Sequence, residues 1–223
     1  MTRIVSKTRD FLIAYKPAGV LSQADKSGDE SLFDELKSEL RAIGERDELY
    51  LIHRLDRVVG GLLVFARNKG SAASLSTLVK DGELCKEYIA VVDGEAGEGI
   101  MVDYLVKDAT LGKARVCSQT TGGAKRAELE YQTLASIEHK GKMLSLVKIK
   151  LHTGRFHQIR AQFSSRNMPL FADKKYGSKH RGATPALFAY HIAFDVSGLR
   201  ADEQILPDMT TILWSLFNIE NYK

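Results

Sequence analysis

Three short segments combine residue types that could act on an anionic substrate. The first is HRLDR at 53–57, where Asp56 stands between Arg54 and Arg57. Because the apolar run GLLVFAR follows at 61–67, one interpretation is a surface ion pair at the entrance of a strand. The other is a carboxylate kept ionised, as a nucleophile or base, in a site for an anionic substrate. The pentapeptide alone leaves both open.

The second segment, KEYIA at 86–90, lies inside a predicted strand at 83–94. Tyr88 could offer an aromatic face to a base and a hydroxyl for proton relay. It could equally be an ordinary core aromatic.

The third segment is LHTGRFHQIR at 151–160. Its pattern predicts that a strand ends here, that Gly154 makes the corner, and that a helix begins with Thr153 as its N-cap. Arg155 would then lie in the first helical turn, where unpaired N–H groups favour anions.

The histidines and cysteines in and around these segments do not form a metal-binding pattern. His152 and His157 flank a corner at a spacing unlike that of helical zinc ligands, and no pair of thiols accompanies His53. We expect these histidines to pack or to bind the backbone, and we expect Cys85 and Cys117 to be inert.

Positive charge is concentrated in one segment, Lys140–Arg181, which holds eleven Lys and Arg against one acid, Asp173. This surplus of +10 exceeds the net charge of +4 for the chain, so the remainder carries −6. Such asymmetry indicates a polyanionic partner, because clustered cations gain affinity by releasing counterions from phosphates. A solvated charged face is the alternative.

Composition is that of a globular protein of 223 residues, with 44% hydrophobic and 27% charged residues. One large domain, or two small halves sharing a core, fits this length. Two cysteines without a CxxC pattern, and the lack of a signal-peptide or membrane-spanning apolar run, predict a cytoplasmic protein with no membrane association.

The three segments need a scaffold, and periodicity predicts an α+β fold with a largely antiparallel mixed central sheet flanked by helices. The predicted strands lie at 11–21, 61–67, 83–94, 127–137, 141–154 and 187–198. The predicted helices lie at 31–44, at about 69–79, at 156–167 and after Asp208, the last with a stripe that begins at Met209.

The motifs together resemble those of the RluA-type pseudouridine synthases. HRLDR with GLL, K-x-Y-x-A, and L-x-TGR-x-HQIR followed by P-L-x-x-D-x-x-YG stand in the order of that family. The likeness runs from KPAG at 16–19 to FAYHIAF at 188–194. The chain departs from the family pattern at Val59-Gly60, at Met168 before the proline, and at Ala172, where the family usually has glycine.

The resemblance implies the pseudouridine synthase catalytic fold, as one catalytic domain over 1–223 whose two halves share one sheet with an active-site cleft across it. It implies isomerisation of a uridine in ribosomal or transfer RNA, with no cofactor and no DNA partner. We expect a monomer without an N-terminal accessory RNA-binding domain, so the catalytic body must bind RNA itself.

The resemblance also implies the site residues. Asp56 is the expected catalytic aspartate, Tyr88 an active-site tyrosine, Arg155 the partner of Asp56, and Arg54 the arginine that displaces the base. Attack on ribose, attack on uracil and proton abstraction by Asp56 all remain open. The other expected substrate-binding residues are His53, Arg57, Lys86, Thr153, Gly154, His157, Gln158 and Arg160.

Two other functions remain as alternatives. A non-catalytic RNA-binding module would explain the basic segment but not the set of Asp56, Tyr88 and Arg155. A sugar hydrolase would need a second carboxylate beside Asp56, for which Asp173 is the candidate.

Overall fold

The computed structural model describes residues 3–208, 212–217 and 219. The chain divides into two compact units, one of Met1–Lys86 with Ala189–Pro207 and the other of Glu87–Phe188 with Asp208–Lys223. The strands are β1 (Ile4–Lys7), β2 (Phe11–Lys16), β3 (Tyr50–Leu51), β4 (Gly60–Ala66), β5 (Cys85–Asp93), β6 (Glu98–Asp108), β7 (Lys113–Cys117), β8 (Lys125–His139), β9 (Lys142–Leu151), β10 (Leu187–Val196) and β11 (Leu199–Gln204). The helices are α1 (Leu32–Ala42), α2 (Lys69–Asp81), α3 (Gln158–Ser165) and α4 (Ile212–Ser215), with a 3₁₀ turn at Lys174–Tyr176.

The first unit is a sheet in the order β1-β2-β4-β10, with β3 beside β4 and β11 beside β10. All seven residues of β4 are buried, as its continuous apolar run predicts. Side chains of β2, β4 and β10 pack with helix α2, and Phe11 meets Phe194 edge to face at 5.1 Å. Gly61 has φ +130°, and a Cβ there would overlap the Ala189 carbonyl, so this strand position requires glycine.

The helices of the first unit begin where the capping residues predict. The Ser31 and Asn68 side chains accept the N–H groups of Asp34 and Ser71, which satisfies a donor in the first turn of each helix. Gly82, in the left-handed conformation, ends α2.

The second unit is a sheet in the order β5-β9-β8-β6-β7. The pairs β5–β9, β9–β8, β8–β6 and β6–β7 are all antiparallel. Helix α3 packs on this sheet, and Phe163 meets Tyr131 of β8 edge to face at 5.3 Å.

The predicted α+β class and the largely antiparallel sheet are confirmed, and the six predicted strands all form. Strands β1, β3, β6, β7 and β11 were not predicted. β1, β3, β7 and β11 are short, with two to six residues each, and β6 is a longer interior strand of mixed polar and apolar residues, EGIMVDYLVKD, without a clear alternation. The last predicted helix is present as α4, while Met209 lies outside the described residues. Among the described helices, none is both long and apolar enough to cross a membrane.

Candidate active site

Asp56 lies in the loop between β3 and β4, and a buried serine fixes the backbone just before it. The Ser22 hydroxyl accepts the Leu55 N–H at 3.1 Å and donates to the Leu55 carbonyl at 2.9 Å. Both backbone groups of Leu55 are therefore satisfied by one side chain. The position of the Asp56 backbone follows from that of its neighbour.

Lys16 holds the same loop from the other side. It is fully buried at the end of β2, and its Nζ donates to the carbonyls of Pro17 at 3.0 Å, Val20 at 2.7 Å and Arg57 at 3.2 Å. An ammonium has three N–H donors, and these three carbonyls use all of them. Lys16 thus ties the turn after β2 to the residue that follows Asp56.

The electrostatics of Lys16 involve Asp56 directly. Burial lowers the pKa of Lys16 to about 7, and the negative charge of Asp56 opposes that shift. The attraction acts on both partners, so a protonated Lys16 favours the carboxylate form of Asp56. Asp56 itself is partly buried.

The arginines beside Asp56 are both exposed. Arg57 pairs with Asp29 at 2.7 Å, and its Nε donates to the Gly19 carbonyl at 2.9 Å. The Arg57 side chain therefore lies along the turn that Lys16 also binds. Arg54 presents its side chain to solvent, where a substrate can reach it.

His53 and Lys86 are two predicted substrate-binding residues with protein contacts in the first unit. The His53 Nε2 accepts the Val64 N–H at 3.4 Å. Burial, with the charge of Lys86, lowers the pKa of His53 to about 3. Burial also lowers the pKa of Lys86. That either residue binds substrate stays a prediction.

Tyr88 lies in β5 of the second unit, opposite Ile149 of β9, and is buried. Burial fits both the catalytic and the core interpretation of this tyrosine.

The third motif forms a loop that a glutamine organises. The Gln158 Oε1 accepts the Arg155 N–H at 3.0 Å and the Thr153 hydroxyl at 2.8 Å. Its Nε2 donates to the Glu128 carbonyl at 3.0 Å, and the Thr153 hydroxyl accepts the Glu128 N–H at 2.8 Å. One buried amide therefore joins both ends of the loop to β8.

The predicted start of the helix after Gly154 is wrong. Helix α3 begins at Gln158, its N-cap is His157, and Thr153 binds β8 instead of capping. Arg155 consequently lies before the helix and not in its first turn. The Gln158 side chain, which the Glu128 carbonyl of β8 holds, takes the N–H of Arg155 that a helix cap would otherwise use.

Arg155 is exposed, and its Nε donates to the Arg126 carbonyl of β8 at 2.8 Å. This bond and its N–H bond to Gln158 fix the start of the side chain. The predicted pairing of Arg155 with Asp56 stays a prediction.

His157 is buried and makes a structural contact. Its Nδ1 lies 2.8 Å from the Tyr176 hydroxyl, which accepts the Ala114 N–H at 2.7 Å. Burial, with nearby positive charges, lowers the pKa of His157 to about 3. The neutral imidazole therefore accepts the Tyr176 proton at Nδ1.

Arg160 and Asp173 form a buried bidentate ion pair, with Nε–Oδ2 at 2.7 Å and Nη2–Oδ1 at 2.9 Å. Both carboxylate oxygens of Asp173 are engaged, which makes it a poor proton donor to a glycoside. The sugar-hydrolase alternative thereby loses its candidate acid.

The basic segment keeps most of its cations on the surface. Lys148 pairs with Glu87 and Arg166 with Asp103, while Arg160 is buried with Asp173. Eight of the eleven are exposed, namely Lys140, Lys142, Lys150, Arg155, Lys174, Lys175, Lys179 and Arg181. The second unit can therefore meet a polyanion.

Sequence analysis missed the residues that hold the loops. Lys16 begins the KPAG turn. Its place at the end of an apolar strand is the one signal in the sequence that could have indicated its burial. Ser22 and Tyr176 carried no such signal, since their partners are backbone groups distant in sequence.

Comparison with known proteins agrees with this architecture. A profile of the RNA pseudouridylate synthase family matches residues 10–165. A ribosomal large subunit pseudouridine synthase D of Zymomonas mobilis is 28% identical over 236 residues, covering 98% of this chain and 73% of the relative. A tRNA pseudouridine synthase C of Haemophilus ducreyi is 35% identical over 185 residues, covering 77% of this chain and 73% of the relative.

The solved structure of human RNA pseudouridylate synthase domain containing 4 superposes with a TM-score of 0.77 at 20% identity, covering 96% of this chain and 91% of the human chain. The pseudouridine synthase fold is thus confirmed. The chain belongs to the RNA pseudouridylate synthase family. The enzyme class expected from the motifs, an RNA pseudouridine synthase, is confirmed as well.

Proposed function

We propose that this enzyme converts a uridine of ribosomal or transfer RNA to pseudouridine, with Asp56 as nucleophile or base on a nucleotide flipped out of its helix. The relatives named above act on ribosomal RNA and on tRNA, which supports these two substrate classes. The exposed cations of the second unit suit the phosphates of either RNA.

The reaction conserves every atom of the nucleotide. The bond from uracil N1 to the ribose breaks, the base turns over, and a bond from C5 to the same carbon forms while the C5 proton leaves and N1 gains one. A base inside a helix is out of reach, so the nucleotide must be extruded first. Arg54, exposed next to the catalytic loop, is the side chain proposed to take the vacated space.

The fixed Asp56 loop is the observation that carries the catalytic part of the proposal. Ser22 and Lys16, both buried, set the backbone on each side of Asp56 through two hydrogen bonds to Leu55 and one to Arg57. Lys16 also binds the carbonyls of Pro17 and Val20 in the turn after β2. Catalysis needs a reacting group held in place before the substrate arrives. A surface ion pair would not require such support.

The remaining site residues complete the proposal. Tyr88 is the proposed stacking partner of the uracil, and Arg155 the proposed partner of Asp56. The two units then make one catalytic domain, which works as a monomer in the cytoplasm. A non-catalytic RNA-binding module is the competing function.

The Asp56→Asn variant tests the proposal. Asparagine keeps the shape and removes the charge, so RNA should still bind while pseudouridine falls to background. Mapping of pseudouridine in ribosomal RNA and tRNA, from cells lacking the gene and complemented with wild type or Asp56→Asn, measures this. Asp195→Asn, at an exposed carboxylate at the end of β10, is the matched control and should restore every site. A site restored by Asp56→Asn would refute the catalytic role, and no site lost with the gene would favour the binding module.

A further inference from the structure

Phe156 is a large apolar side chain that the second unit leaves exposed, at 38% of its surface. It follows Arg155 in the loop of the third motif. Nothing in the proposed catalytic roles uses it. An exposed aromatic ring in a basic surface has a cost in water, so its surroundings indicate what it does.

The ring of Phe156 is supported from below. It stacks on the His157 imidazole, with centroids 3.8 Å apart and planes 19° apart. His157 is itself buried and held at 2.8 Å by the Tyr176 hydroxyl, which the Ala114 N–H fixes in turn. Phe156 therefore rests on a layer that has little freedom to move.

A flexible cation also lies over the ring of Phe156. The Lys107 Nζ lies 4.7 Å from the Phe156 centroid, and since His157 covers one face, Lys107 covers the opposite one. A lysine amine on four rotatable carbons leaves such a position easily, because an exposed cation–π contact is weak. That face can be opened at little cost.

The charges around the ring are positive. Lys107 and Lys175 both lie near enough to His157 to lower its pKa, and Arg155 adjoins in the chain. A rigid aromatic surface among mobile cations is the combination that single-stranded nucleic acid binds, with bases stacked and phosphates paired.

We propose that Phe156 is a stacking platform for an unpaired base of the RNA substrate, and that Lys107 moves from the ring to a phosphate as the base stacks. The inference rests on the proposed function in taking RNA as substrate and Arg155 as part of the site. It adds a contact to a nucleotide close to the modified uridine, and so a determinant of which RNA is bound.

Binding to a labelled single-stranded decauridylate, followed by fluorescence anisotropy at low salt, tests the platform. Loss of one stacked base weakens binding by fivefold or more. Phe156→Ala and Phe156→Leu should both do so, since leucine keeps the apolar volume but has no ring, whereas Phe156→Trp should bind at least as tightly as wild type. Replacing Lys107 by a neutral residue should lower the slope of log affinity against log salt concentration by about one, because one fewer counterion is released.

Ile100 provides a matched control. It is exposed at 64% on the same strand as Lys107, about 24 Å along β6 at 3.4 Å per residue. Ile100→Ala should leave decauridylate binding unchanged. A duplex of equal length should be insensitive to every change at Phe156, because its bases are already stacked.

A direct readout comes from Phe156→Trp in a Trp214→Phe background, where the single tryptophan should be quenched by decauridylate and not by the duplex. Unchanged affinity of Phe156→Ala and Phe156→Leu, or equal weakening for single strand and duplex, would overturn the platform and leave the ring as packing for His157.

These measurements need no turnover and can be repeated in Asp56→Asn. If pseudouridine formation depends on Asp56 but binding ignores Phe156, only the platform fails. If binding depends on Phe156 and no pseudouridine forms in any RNA, only the proposed function fails.

Discussion

The loop that carries Asp56 and the loop that carries Arg155 are both irregular, yet side chains of different chemical character hold them. A buried ammonium, Lys16, donates to three carbonyls beside the first loop. A buried neutral amide, Gln158, both accepts and donates in the second.

The two supports differ in whether they bring a charge to the loop that they hold. The carboxylate loop is supported by a cation that also attracts Asp56, whereas the arginine loop is supported without adding charge. The first support therefore acts on Asp56 through charge as well as on the position of its loop. The second fixes position only.

Removing the two supports should therefore have different consequences. Lys16→Met leaves three carbonyls without their donor, and each unsatisfied buried group costs about 1–3 kcal/mol. We expect a loss of about 3–5 kcal/mol in the free energy of unfolding, with little activity left. Urea unfolding and pseudouridine formation measure the two effects.

Gln158→Leu is the counterpart in the other loop. It leaves the Arg155 N–H without its acceptor, while the Glu128 carbonyl still accepts the N–H groups of His152 and Thr153, and we expect a smaller loss of about 1–2 kcal/mol. Its activity should keep the wild-type pH profile, while Lys16→Met should shift the profile of any residual activity. Equal stability losses and identical profiles would remove the distinction between the loops.

A second prediction concerns the stability of the folded protein in acid. The first and third motifs each contribute one histidine, and both should act in the same direction. His53 and His157 have pKa values of about 3 in the folded protein, below the ordinary value of 6.5. The unfolded chain binds more protons between these values, so stability falls as the pH falls from about 6.5 towards 3. Urea unfolding at pH 7 and pH 5 measures the loss.

His157→Asn and His53→Gln isolate this contribution from that of the carboxylates. Asparagine tolerates the left-handed backbone of His157, whose φ is +51°. Each variant should lose less stability between pH 7 and pH 5 than wild type. An unchanged loss in both would show that these histidines do not control the acid response.

The smallest expected effect on stability comes from Ala172, the residue before Asp173. Ala172 has φ +62°, and a side chain in that conformation costs about 1 kcal/mol. Since its buried methyl group recovers part of this, Ala172→Gly should stabilise the protein by about 0.5 kcal/mol. Ala161→Gly, inside α3, should instead destabilise it by about 1 kcal/mol. Thermal unfolding of both variants checks the opposite signs.

Sequence could predict the elements whose signal is local. The buried run of β4 and the caps Ser31 and Asn68 depend on neighbouring residues, and all formed as predicted. The start of α3 could not be predicted, because the contact that shifts it joins Gln158 to Glu128 across 30 positions.

The same limit applies to the candidate site. Motif types predict Asp56, Tyr88 and Arg155 as site residues, which stays a prediction, yet they gave no indication that Lys16 and Ser22 hold the first loop. Burial of polar groups is decided by tertiary packing, which a periodic pattern does not encode.

Pseudouridine formation by Arg155→Lys, under single-turnover conditions with excess enzyme, tests most directly whether the two loops work as one site. Lysine keeps the charge and loses the planar fork that a carboxylate binds. The account predicts a rate lower by about a hundredfold or more, with RNA affinity and melting temperature close to wild type. Arg200→Lys, at an exposed arginine of β11, should react at the wild-type rate. A wild-type rate for Arg155→Lys, or a loss explained wholly by weaker RNA binding, would contradict it.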